Sequence, residues 1–222
     1  MPMQVIDDFF PEGQFKELQT KILSQSMPWY YISNISVPPY LMVNDPLAIE
    51  SSAVQTKLYD RQLNVETEEY VNLKQYFTYM MHKLGYTNDN LLRIRAVTTW
   101  PQKGITAENY NIPHVDQPSP HKSIVFYLND ADGDTRLFHQ KQKVLPSSVK
   151  RLDDDASDEE KEEYASFFIR SGFTVEHTVT PKANRLLIFD GLQYHTSGHP
   201  IDCERRVIFN INIGETTQRV YD

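Results

Sequence analysis

His114 and Asp116 stand one residue apart, and His195 follows far downstream, just after the apolar run 185–189. Two imidazole nitrogens and one carboxylate oxygen can occupy one side of a metal ion and leave the other side open. Two histidines and one carboxylate on one side of the ion form the facial arrangement used for non-haem Fe(II), with room for guest molecules, O2 among them. Ten positions past His195 comes Arg205, a cation that does not deprotonate and can grip a carboxylate at two points. The chemistry on offer is therefore oxidation at a metal, with an anion held nearby, if these side chains meet.

The elements that would have to bring them together change character along the chain. Val5–Phe10 reads as a short strand, and an amphipathic segment follows from Pro11 to about Ser26 with Phe15, Leu18, Ile22 and Leu23 at helical spacing. Residues 27–32 are aromatic and extended, and the Pro-containing stretch 33–60 reads as loop and irregular strand. A second helix is predicted from about Glu66 to Leu84, with Gly85 placed to end it. Beyond it come short β-rich runs at 91–100, 123–128, 135–138, 173–179, 185–189 and 207–213. Helices first and then many short strands predict a mainly β fold: a jelly-roll core over 91–213, buttressed by N-terminal helices within 1–90, in a single domain spanning 1–222.

The segment 141–165 interrupts that order with a dense acidic run from Asp153 to Glu163, read as a solvated, partly helical surface insertion. A calcium loop is not indicated, because the carboxylates lack Gly-punctuated spacing.

Composition narrows the field. The 222 residues carry 30 acidic and 22 basic side chains, a net charge of −8, and 13 Tyr and 11 Phe for a packed core. An acidic chain without a basic run makes nucleic acid an unlikely partner. The one cysteine excludes an internal disulfide and a cysteine-based zinc cluster. An acidic N-terminus and the lack of a long apolar stretch lead to the expectation of a soluble, cytoplasmic protein with no membrane partner. Oligomeric state is not legible.

A turn must bring His114 and Asp116 to one metal, because neighbours one residue apart in an extended chain face opposite ways; Pro113 and Pro118 favour it. Each histidine alone is as well explained as a surface or hydrogen-bonded residue. His82, His121, His139, His177 and His199 are expected not to be ligands. For the anion, strand alternation puts Arg205 with Val207, Phe209 and Ile211, and Arg206 with Ile208, Asn210 and Asn212. The more apolar side is read as the barrel interior, so Arg205 is the expected anchor and Arg206 the alternative.

Pro-His114-Val-Asp116, the strand Ile124-Val-Phe-Tyr127-Leu-Asn-Asp, the turn Gly133-Asp-Thr135, the run Asn184–Asp190 before His195, and Glu204-Arg205 together resemble the 2-oxoglutarate/Fe(II)-dependent oxygenases, in the style of the prolyl-4-hydroxylase-like branch. The resemblance implies Fe(II) on His114, Asp116 and His195. It implies 2-oxoglutarate as co-substrate with O2, giving succinate and CO2, and Tyr127 beside Arg205 on the distal carboxylate. An arginine anchor departs from the lysine of many prolyl hydroxylases and weakens a proline substrate. The implied activity is hydroxylation of a small molecule or peptide not identified by sequence. Two rivals are a jelly-roll binding module without catalysis and a zinc hydrolase using the same ligands.

Overall fold

The computed structural model describes residues 2–36, 38–145, 149, 152 and 155–214. In chain order the strands and helices are β1 (Gln4–Ile6), α1 (Glu12–Ile22), β2 (Tyr30–Ile32), β3 (Ala53–Asp60), β4 (Val65–Glu66) and α2 (Glu68–Lys83). Then come β5 (Leu91–Thr99), β6 (His121–Tyr127), β7 (Thr135–Lys141), α3 (Asp158–Ser166), β8 (Val175–Val179), β9 (Arg185–Asp190), β10 (Gln193–Ser197) and β11 (Arg206–Gly214). The architecture is mainly β: a large antiparallel sheet ordered β1-β9-β6-β11-β5-β3-β2, with β4 on β3, faces a small sheet ordered β10-β7-β8. This is the expected double-stranded β-helix, with helices against the large sheet.

Why the helices sit there follows from their stripes. Phe15, Leu18 and Ile22 of α1 and Leu73, Phe77 and Met80 of α2 join Phe126 and Phe209 in one buried cluster. Phe77 meets Phe209 edge-on at 5.2 Å, and Phe10 meets Phe126 at 5.3 Å, the geometry aromatic quadrupoles favour. Thr67 starts α2 by accepting the Tyr70 N–H at 3.2 Å, and Gly85 ends it with φ +79°. The opposite face of the large sheet packs Val97, Val125, Leu187 and Ile208 toward Leu137 and Val179 of the small sheet. Strands buried on both faces read as continuous apolar runs, which is why β6 and β11 are plain in the sequence.

Two strands depart from expectation. The stretch 33–60, expected to be loop and irregular strand, ends in the regular eight-residue strand β3, paired with both β2 and β5. Its inner positions carry Gln55 and Lys57, so no apolar alternation announces it. Strand β10, absent from the expected strands, holds buried Gln193, His195 and Thr196 and pairs with β7. The acidic insertion forms α3, capped by Ser157 and Glu160. Asp153 and Asp154 lie outside the described residues. No helix among the described residues is long and apolar enough to cross a membrane.

Candidate metal centre and anion pocket

His114 and His195 face each other as an antiparallel bridge, each backbone N–H donating to the other's carbonyl at 3.0 Å. Opposed residues share a face, so the pairing sets both rings side by side, 4.7 Å between centroids. A bend at Asp116 then turns its carboxylate to the same point. One ligand atom from each of the three lies within 4.8 Å of the others, the sole such group found among the described residues. Nδ1 of His114 lies 2.9 Å from the Ile112 carbonyl and Nδ1 of His195 lies 3.2 Å from that of Gln193. With Nδ1–H donating there, each Nε2 keeps its lone pair for a metal.

The carboxylate is clamped. Arg93 and Arg95 donate to Oδ1 at 3.1 and 3.2 Å. Ser123, Asn210 and Asn212 donate to Oδ2 at 3.0, 3.2 and 2.8 Å. These donors come from rows across the inner face: Arg93 opposes Asn212, which opposes Ser123, and Arg95 opposes Asn210. Burial alone would raise the Asp116 pKa, but His195, Arg93 and Arg95 outweigh it and hold the acid well below its ordinary value. Burial, reinforced by repulsion from His195, pushes His114 down to about 3, and burial also lowers His195. The site therefore holds two neutral imidazoles and an ionised carboxylate, the protonation state a divalent metal requires.

The expected anion anchor needs correction. Arg205 precedes β11 and is exposed, whereas Arg206 is 2% exposed and lines the cleft with His114 and His195. Alternation was read correctly and the faces were assigned the wrong way round: Val207, Phe209 and Ile211 meet the helices, while Arg206, Ile208 and Asn210 look inward. Arg206 donates to Thr135 Oγ1 at 2.9 Å, and Tyr127 donates its hydroxyl to the same oxygen at 2.7 Å. The Arg206 guanidinium lies 5.6 Å over the Tyr127 ring, and its buried Nε–H has no acceptor. A buried cation with an unsatisfied donor suits a carboxylate guest.

His82, His121, His139, His177 and His199 lie outside that group of three. The buried His121 instead contacts Ser123 Oγ at 3.3 Å, one residue behind the clamp. Sequence reasoning missed Arg93, Arg95, Asn210, Asn212 and Thr135. The signal was there as Arg-x-Arg in β5 and Asn-x-Asn in β11, polar residues at every second position of otherwise apolar strands.

Neither a protein-family model nor a curated protein matches the chain in sequence. Solved structures do match in fold. A 2OG-Fe(II) oxygenase family oxidoreductase from Burkholderia pseudomallei aligns with TM-score 0.56 at 11% identity, over 95% of this chain and 84% of that one. The non-heme alpha ketoglutarate dependent epimerase SnoN from nogalamycin biosynthesis aligns with TM-score 0.55 at 12% identity, over 96% and 78%. The carbocyclase SnoK from the same biosynthesis gives 0.52 at 8%, over 96% and 79%. At such identities the likeness establishes the shared fold, reached here by a chain whose inner strands carry their own set of polar side chains.

Proposed function

We propose that this chain is an Fe(II)- and 2-oxoglutarate-dependent oxygenase that hydroxylates a small-molecule or peptide substrate. The observation that carries the reading is one cleft with two unlike ends. At one end His114, Asp116 and His195 converge; along its wall lies Arg206, buried, with Thr135 and Tyr127 around it. A buried cation with a free donor, set apart from the metal ligands, suits the far carboxylate of a dicarboxylate bound at the metal.

In this reading Fe(II) is held by the two Nε2 atoms and the Asp116 carboxylate, and the far carboxylate of 2-oxoglutarate by Arg206. When bound, the metal and co-substrate together reduce O2 and deliver one oxygen atom to a substrate C–H, with succinate and CO2 released. The protein's part is orientation and dryness. The five donors on Asp116 keep it ionised and fix its direction. Val97, Val125 and Ile208 place apolar surface on the cleft wall among its polar side chains. The same fold in an epimerase and a carbocyclase leaves room for an outcome other than hydroxylation. The Tyr-Leu-Asn and His-x-Asp motifs favour the prolyl-4-hydroxylase-like branch.

The test is thermal melting with Mn(II), with N-oxalylglycine, a non-reactive analogue of 2-oxoglutarate, and with both. Stabilisation by the pair beyond the sum of the two supports the reading. Additive or absent shifts would remove it, as would failure to form succinate from 2-oxoglutarate under air with Fe(II).

A further inference from the structure

The inner wall away from Arg206 carries charge that the metal and co-substrate do not use. Arg95 and Gln55 both line the cleft, on neighbouring strands β5 and β3. Lys57, two residues past Gln55 and so on its face, is directly opposite Arg95 in the antiparallel pair. Like charges facing across a ladder repel, and such pairs destabilise a sheet unless something lies between them. Arg95 spends Nη2 on Asp116 and Asn210, yet its buried Nε–H has no acceptor. Gln55 Oε1 is likewise buried without a donor. An unsatisfied buried polar group is costly, and this wall of the cleft carries a free donor and a free acceptor together.

The local balance points the same way: Lys57 stands opposite Arg95, and Arg95 shares the single Asp116 carboxylate with Arg93.

We propose that Arg95 and Lys57 bind a carboxylate of the substrate, while Gln55 Oε1 accepts a hydrogen bond from an N–H or O–H next to it. This rests on the oxygenase reading and adds the substrate class: a carboxylate-bearing molecule, anchored by the sheet wall with its remainder pointing at the metal. With Nη2 engaged, Arg95 offers the carboxylate its Nε–H, a charge-assisted hydrogen bond, beside the Lys57 ammonium.

The test uses the protein loaded with Zn(II), a diamagnetic stand-in, and excess N-oxalylglycine, with loading first verified by melting. Acetate is titrated while the 15N–1H resonance of Arg95 Nε, assigned with Arg95→Lys, is followed; acetamide serves as the neutral match. A saturable shift with acetate and none with acetamide is expected, with at least threefold weaker acetate affinity in Lys57→Gln. A non-saturable shift, or one unaltered by Lys57→Gln (acetate on the metal), overturns the proposal. So does acetate binding that N-oxalylglycine abolishes, which would assign Arg95 to the co-substrate. Failure of the loading step itself would instead count against the oxygenase reading.

Discussion

The two faces of the large sheet are built from the same strands to opposite ends. In β11, Val207, Phe209 and Ile211 join the helix-packed cluster, while Arg206, Asn210 and Asn212 point at the site from alternate positions. β5 divides the same way, with Ile94 and Ala96 outward and Arg93 and Arg95 inward. The outer face provides stability through area removed from water. The inner face accepts buried charge and unsatisfied donors, a cost tolerated where a ligand completes them. Polarity inside a barrel marks the working surface, and the greasiest face is the one glued to its support.

Separating the faces experimentally starts with Asp116→Ala, the largest expected effect. Changes behind a metal ligand typically lower affinity about 10–100-fold, so removing the ligand itself should exceed about 100-fold in a Mn(II) titration followed by electron paramagnetic resonance. It also strips Arg93 and Arg95 of their carboxylate, costing about 3–5 kcal/mol in urea denaturation. Retained Mn(II) affinity would dissolve the inner-face assignment. Phe126→Ala on the outer face should lose a similar 3–5 kcal/mol or so, through a cavity, while the folded protein keeps its Mn(II) affinity. A joint loss of both would mean the faces are not separable.

Arg206→Ala should raise the 2-oxoglutarate concentration for half-maximal succinate release about 10–100-fold, from loss of a charged hydrogen bond of about 1.5–3 kcal/mol. The metal-free protein should also be acid-sensitive in a defined window. Folded His114 holds its pKa at about 3 against an ordinary 6.5, so between those values the unfolded chain binds a proton the folded one refuses. Stability should fall as pH drops through that window, and His114→Ala should flatten the slope in a pH series of denaturant melts. The smallest effect belongs to Arg205→Ala, exposed and off the strand, within about 0.5 kcal/mol of wild type and with an unchanged 2-oxoglutarate requirement.

The elements that were readable in advance share a cause. The helices α1 and α2 bury stripes at helical spacing, and β6 and β11 are buried on both faces and rich in β-branched and aromatic residues, so period and composition announce them. β3 was read only as loop and irregular strand, and β10 was not assigned, because both carry polar residues along the strand: Gln55 and Lys57, then Gln193, His195 and Thr196. Functional strands break the alternation that reveals ordinary ones.

His-x-Asp with a distant His, the order of motifs and the alternation along β11 were properties of the sequence alone, because ligand chemistry and strand period are local. Which arginine faces the cleft was not, since alternation separates two faces without naming the one that meets the helices. Nor was the ring of donors on Asp116, whose members lie 7 to 96 positions away along the chain and become neighbours only through strand register.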